Sequence, residues 1–270
     1  MMNDYSEIEH GFMCLNAVLD SEIGKEFREA IDSIHDGLSL SAQVDNLYSN
    51  VMATIRATTF IACFTEHSPL EDYYGRLSMW RAYGKNNGIA FIFKPELFFN
   101  DLQSNSVGVI SSPVAYLSPV EIGGYLKLIS ANIRNNLDEL KVSMPFDMLR
   151  NVVLNIYSSA IICNKHNGFK EELEWRAITY LPLSESSNQL KKSVQVINGT
   201  PQTIQSFKFK DNPDAGITGL NFNDLLKRII IGPCDHPEAT KEALALALTE
   251  QGFVNAQEII HISNIPLRSS

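Results

Sequence analysis

The chain has only two tryptophans, and an arginine follows each of them: Trp80–Arg81 and Trp175–Arg176. Just before the second pair stand Glu172 and Glu174. If Glu174–Tyr180 is a strand, side chains alternate across it, so Glu172, Glu174 and Arg176 share one face while Trp175, Ala177 and Thr179 take the other. Two carboxylates on one face repel each other unless a cation sits beside them, and Arg176, Arg81 or a substrate is expected to supply it. In a functional reading Glu174 hydrogen-bonds or deprotonates a ligand hydroxyl, Glu172 orients the nucleophile, and Arg81 grips an anionic group such as a phosphate with its planar fork. In a structural reading the same residues form an ion-pair network at a strand end, with Glu172 or Glu174 paired to Arg81 or Arg176 and the tryptophans filling the core. Both readings stay open at the level of sequence.

Other reactive residues carry weaker signals. His10, His35, His67, His166, His236 and His261 are scattered. His166 stands nearest the glutamates, and Glu66 with His67 lines either a pocket or a solvated loop. Cys14, Cys63, Cys163 and Cys234 lie far apart, without the close pairing of a zinc or redox motif, and read as reduced core thiols with no metal implied. Ile230–Ile231–Gly232–Pro233 precedes a helical pattern, as a phosphate-binding turn would. It has a single glycine, a proline that removes a donor, and Asp235 to repel an anion, so a plain strand-to-helix connection fits it better. No Walker motif, dinucleotide fingerprint, His-Glu-x-x-His or nucleophile elbow is present.

The elements that must position these residues centre on 58–93. Two short apolar runs, Thr58–Phe64 and Gly88–Phe93, read as strands. The polar stretch between them holds Leu77, Trp80 and Arg81 at helical spacing, with Ser78 expected to cap a short turn and Gly84 to end it. Upstream, amphipathic periodicity predicts helices over 4–19, from Ile23 to Ile34, and over 40–56, where Val44, Leu47, Val51 and Ile55 share a side. Downstream, strands are expected near 107–110 and 114–117, and a helical pair over 121–163, inserted and packed on one face of the sheet. Further strands are expected at 174–180, 193–197, 204–209, 228–231 and 258–262, with helices at 221–227 and 237–251. No repeat or Pro/Gly-rich linker divides the chain. The expected fold is α+β: residues 1–270 as one domain with a central, mostly antiparallel sheet flanked by helices.

Composition excludes some classes. With 44% hydrophobic and 20% charged residues in 270, the chain is ordinary for a globular protein. No run approaches the roughly 18 apolar residues of a membrane span, and no basic start followed by an apolar run suggests export, so a cytoplasmic protein is expected. The formal charge of −9 argues against broad attraction to nucleic acid or anionic membrane and leaves room only for a local basic groove.

Six segments, in order, resemble the bacterial domain-of-unknown-function 2971 family: Met2–Asn3–Asp4–Tyr5–Ser6–Glu7, Cys63–Phe64–Thr65–Glu66, Ser78 to Gly84 (SMWRAYG), Phe169 to Arg176 (FKEELEWR), Ile230 to Pro233, and Ser263 to Arg268 (SNIPLR). The resemblance implies an ADP-ribosyltransferase-like fold using NAD as substrate, in a toxin-like stress or antiphage effector. Nucleic acid enters only as a modification target, and an antitoxin or regulatory protein is the implied partner. Carried over to this chain, Glu174 is the catalytic glutamate, Glu172 its partner and Arg81 a catalytic cation, while Ser78, Trp80, Tyr83 and Arg176 line the nucleotide site. The family's His-Tyr-Thr-like strand is expected upstream of Met1–Met2–Asn3–Asp4, and a chain without it is expected to hold NAD weakly. The alternative is a non-catalytic domain of the same fold that senses a nucleotide or binds a protein.

Overall fold

The computed structural model describes residues 5–85, 87–94, 109–180, 190–197 and 199–266. Helices α1 (Tyr5–Leu19), α2 (Glu22–Asp32) and α3 (Leu40–Thr58) lead into strand β1 (Thr59–Thr65). Strands β2 (Ile89–Phe93) and β3 (Ile110–Pro113) follow, then helices α4 (Pro119–Asn135), α5 (Leu137–Ser143) and α6 (Phe146–Ile162). Strands β4 (Glu174–Tyr180), β5 (Leu190–Ile197), β6 (Thr200–Phe207) and β7 (Leu226–Ile231), helix α7 (Pro237–Glu250) and strand β8 (Ile260–Ile262) complete the order. The protein is α+β. Its described strands divide into three small sheets, β1-β4-β3, β2-β7-β8 and β5-β6, where one central sheet was expected. The chain clusters into two compact units, residues 1–63 with 112–181 and residues 64–111 with 182–270.

In the first unit the helices bury their stripes mainly against one another. Leu15, Val18 and Leu19 of α1, Phe27 and Ile31 of α2, Ile122 and Leu126 of α4, and Leu149, Val153, Tyr157 and Ile161 of α6 recur at helical spacing and meet in one cluster, which Ile178 of β4 joins. Helix α4 starts where sequence chemistry dictates: Pro119 occupies the first turn, and Ser118 and Glu121 exchange backbone and side-chain hydrogen bonds in a capping box. The expected helical pair over 121–163 is three helices, of which α4 and α6 share the core of α1 and α2. Of the two strands expected between 107 and 117, the first lies partly outside the described residues and the second is a single parallel bridge, Ala115 to Asn164. The side chains of Val51 and Ile55 also lie outside the described residues.

In the second unit β7 is the central strand. It pairs antiparallel with β2, setting Ile89 opposite Ile231 and Ala90 opposite Ile230, and parallel with β8, setting Ile229 opposite Ile260. Ile229, Ile230 and Ile231 are all buried because both faces are covered, which explains the continuous apolar run. One face, Ile229 and Ile231, packs with Ala245 and Leu248 of α7 and with Phe253. The other, Ile230, packs with Ile92 and Trp80.

Trp80 sits in a cage of glycines. An added Cβ would fall 2.6 Å from its Cζ2 at Gly75, 3.1 Å from its Cε3 at Gly88 and 2.8 Å from Cε3 at Gly232. Gly75 also has φ +68°, which only glycine adopts without strain. The indole N–H donates to the Tyr74 carbonyl at 2.8 Å, and the Ser263 hydroxyl donates to the same oxygen at 2.7 Å. From this anchor the α-turn Leu77–Met79 continues as a π-helical turn, Trp80–Gly84, which ends at the glycine as expected. Ser78 does not cap it: Arg76 holds the N-cap position and Ser78 lies inside the turn. The Gly232 N–H donates to the Gly88 carbonyl at 2.8 Å, so the Gly232–Pro233 turn is a close approach beneath the tryptophan and a plain lead into α7.

Gly232→Ala drives a methyl into a caged ring that has nowhere to move. The expected loss is about 1–3 kcal/mol in chemical denaturation. Gly124→Ala, where a Cβ meets nothing within 4 Å on the exposed face of α4, is expected to gain up to about 1 kcal/mol.

Candidate functional site

Residues 163–176 of the first unit build a buried charge cluster. Cys163 follows the end of α6, and its carbonyl accepts from the Ala115 N–H at 2.7 Å while the Lys165 N–H donates to the Ala115 carbonyl at 2.9 Å. The Asn164 side chain closes the same join, accepting from the Leu117 N–H at 2.9 Å and donating to the Leu117 carbonyl at 3.1 Å. This fixes Lys165, which is only 3% exposed. A 3-10 helix, Asn167–Glu172, then reverses the chain, and Leu173 turns it into β4 with a left-handed backbone, φ 46°.

That turn directs both glutamates to one cation. Lys165 Nζ lies 2.6 Å from Glu172 Oε2 and 3.0 Å from Glu174 Oε2, and stands 4.8 Å over the Phe169 ring. The other oxygen of Glu174 accepts from Arg176 Nε at 2.7 Å. Arg176 is fully buried, and its Nη1 donates to the Ile162 carbonyl at the end of α6. The Glu174 N–H donates to the Tyr116 hydroxyl at 3.0 Å. Glu172, Glu174 and Arg176 are therefore brought together as expected, though by a 3-10 helix and a left-handed turn ahead of Glu174, with Glu172 outside the strand.

Burial by itself would push the Glu174 carboxyl up, yet hydrogen bonds from Arg176, the Cys63 thiol and Lys165, together with the Arg176 charge, outweigh it and hold the group below the ordinary glutamate range. It is an ionised acceptor that is 5% exposed, with both oxygens engaged. Cys63 is exposed, contrary to its reading as a core thiol, while Cys14 and Cys163 are buried and Cys234 is half-buried. Burial pushes the Cys163 thiol up.

The other expected site residues belong to the second unit. Trp80 is a core residue, 6% exposed. Arg81 and Tyr83 on the π-helical turn are exposed, Tyr83 at 61%. The Ser78 hydroxyl is buried and has no hydrogen-bond partner among the described residues. Nearby, sequence reading missed a polar cluster. Arg76 bonds Glu71 at 2.7 Å, the Glu66 carbonyl at 2.8 Å and the Thr65 hydroxyl at 3.0 Å. His67 bonds Asp72 at 2.7 Å, and Asp72 also pairs with Arg228 at 3.1 Å. The His67 hydrogen bond, with the Arg228 charge, holds the Asp72 carboxyl below its ordinary value. Among the described residues no group of three or more His, Cys, Asp or Glu is placed to hold a metal ion. No described helix is long and apolar enough to cross a membrane.

Residues 79–177 match the family model described as a protein of unknown function, DUF2971. They form a DUF2971 region. No curated protein and no solved structure matches the chain. The DUF2971 region opens one residue before Trp80 and closes one residue after Arg176, so both Trp-Arg pairs, Lys165, Glu172 and Glu174 fall inside it. The resembling segments 63–66, 230–233 and 263–268 lie outside it, and Met2–Asn3–Asp4 and Leu267–Arg268 lie outside the described residues.

Two outcomes follow for the cluster in the DUF2971 region. Glu174→Gln leaves two buried cations facing one glutamate and is expected to cost about 3 kcal/mol in urea denaturation, with Lys165→Met similarly damaging because it strands two carboxylates. The Glu174 contribution is complete above the ordinary glutamate pKa and is lost as pH falls through the lower folded value. Stability measured from neutral pH downward should therefore fall less steeply below about pH 4 in Glu174→Gln than in the parent chain.

Proposed function

We propose that this chain is a non-catalytic recognition domain whose ligand is a nucleotide, met by the π-helical turn of the second unit, and that the Glu172–Glu174 cluster of the first unit is structural. The observation that carries this reading is the engagement of both Glu174 oxygens by buried cations, which turns the carboxylate inward to Lys165 and Arg176. A general base must reach its proton within hydrogen-bond distance and have a pKa near the working pH. Glu174 is covered and its pKa is depressed.

The turn offers what a nucleotide requires. Arg81 presents a fork for a phosphate and Tyr83 an aromatic face for a base. Trp80 fixes the turn from beneath, so its outward residues are held without further ordering on binding. π-helical turns recur at functional sites, which adds weight. NAD is the first ligand to test, because it is the nucleotide that the sequence resemblance implies.

A second reading keeps the enzyme: an NAD-consuming ADP-ribosyltransferase-like effector of bacterial stress or antiphage defence, acting on a macromolecule and held in check by a protein partner. The observation favouring it is the placement of Glu172 and Glu174 on one lysine, which keeps two carboxylates close enough to act as a pair. Catalysis would then require Lys165 or Arg176 to release Glu174 when the substrate arrives.

One experiment separates the two. The purified chain is titrated with NAD and ADP-ribose by calorimetry while nicotinamide release is followed by chromatography. Binding without release is expected, weakened at least about tenfold in Arg81→Ala and Tyr83→Ala, a loss of about 1.4 kcal/mol or more. Release that disappears in a folded Glu174→Gln chain would establish the transferase reading. Absence of binding to either compound would overturn the nucleotide reading.

A further inference from the structure

The π-helical turn ends in a backbone conformation that its sequence does not favour. At the C-cap, Lys85 has φ 43° and ψ −126°, and the Asn87 N–H donates to the Gly84 carbonyl at 3.2 Å. Those dihedrals belong to the first central residue of a type II′ turn, a position that glycine dominates because it carries no Cβ. Of the three described non-glycine residues with positive φ, Leu173 and Asn255 lie in the left-handed helical region, which L-residues do visit. Lys85 lies outside it. The chain carries its glycine one position earlier, at Gly84, where a Cβ would come 3.3 Å from Trp80 Cε3. Gly84 and Gly88 both close on the Trp80 ring, and that fixed ring holds the turn between them in a conformation Lys85 would not adopt alone.

The fold makes no use of the side chain that bears this strain. Lys85 is exposed, and neither its ammonium nor the exposed guanidinium of Arg81 hydrogen-bonds or pairs with a carboxylate among the described residues. The two cations stand four residues apart, neighbours along a helical turn, where like charges repel. With 31 acidic residues against 22 lysines and arginines, the chain does not lack carboxylates, yet none answers this pair. Elsewhere in the same unit Arg76 is answered by Glu71 at 2.7 Å and Arg228 by Asp72 at 3.1 Å. Backbone strain and like-charge repulsion therefore fall on one short turn, and glycine at 85 would remove both.

From this we infer that Lys85 is a second phosphate-binding residue of the π-helical turn and that the ligand it selects is a nucleoside diphosphate. This role rests on the nucleotide reading of the turn and names the ligand class within it. Arg81 takes one phosphate with two parallel N–H donors, and Lys85 meets the linked phosphate as a compact point charge. A single phosphate is satisfied by the Arg81 fork; a second one gives Lys85 its partner and relieves the repulsion between the two cations. Because the Trp80 ring fixes Gly84 and Gly88, the free protein already bears the strain at Lys85, and binding adds little further ordering of the backbone.

The test is calorimetric titration of the full chain with AMP and with ADP in magnesium-free buffer. ADP is expected to bind at least about tenfold more tightly than AMP, the effect of one added charge-assisted contact. Lys85→Gln should bring the two affinities within about threefold of each other, while Lys85→Arg, which keeps the charge, should keep the preference for ADP. Lys85→Gly adds a readout that a merely structural lysine would not move. It should lose the same preference and yet raise the melting temperature by about 2–4 °C, because glycine adopts this turn without strain. Equal affinities for AMP and ADP in the parent chain, or a preference for ADP that survives in Lys85→Gln, would overturn the role of Lys85 and leave the nucleotide reading standing. A lower melting temperature in Lys85→Gly would overturn it too, by showing that the lysine serves the fold. Binding of neither nucleotide would overturn the nucleotide reading and this role with it.

Discussion

A guanidinium without solvent exposure cannot shed its charge, so the chain around Arg176 must answer it. Glu174 does so from one side and the Ile162 carbonyl from the other. Ile162 is the last residue of α6, where helix carbonyls have run out of intrahelical donors and a cation is favoured by the helix dipole. Arg176 thus ties the end of α6 to β4. Lys165 then balances the remaining charge of Glu174 together with Glu172, so two cations and two carboxylates close on themselves. The Asn164 side chain and the Tyr116 hydroxyl supply the uncharged bonds that such a cluster needs, since a buried charge with an unfilled partner costs far more than the pair returns. The geometry of residues 112–117, 162–165 and 172–176 is one problem with one solution.

That solution bears on chemistry. A Glu-x-Glu pair looks the same in sequence whether it waits for a substrate or is already satisfied. Here the left-handed Leu173 directs the pair to an internal lysine, and strain of this kind persists only where the surroundings over-determine it. In the second unit the constraint is different in kind. The Trp80 indole occupies space that side chains at Gly75, Gly88 and Gly232 would otherwise fill, and its N–H shares the Tyr74 carbonyl with Ser263. Shape holds the π-helical turn where charge holds the glutamates, which is why Arg81 and Tyr83 stay exposed while Arg176 does not.

Much of the fold was legible. The helices announced themselves because an amphipathic stripe such as Leu149, Val153, Tyr157 and Ile161 has no other use, and β7 because a run of isoleucines fits only a strand covered on both faces. Gly84 as a stop and the co-facing of Glu172, Glu174 and Arg176 were legible too. The division of the strands into three sheets was not, since pairing partners are set by tertiary packing and no local pattern carries them. Lys165 was missed because a straight strand was assumed through Glu172, and from a straight strand a residue seven positions earlier cannot be a neighbour. A 3-10 helix and one left-handed residue bring it there. Trp80 as a ligand-lining residue was legible as an expectation and is a core residue in fact, because the glycines that make room for it lie at 75, 88 and 232, too far apart in sequence to read as a set.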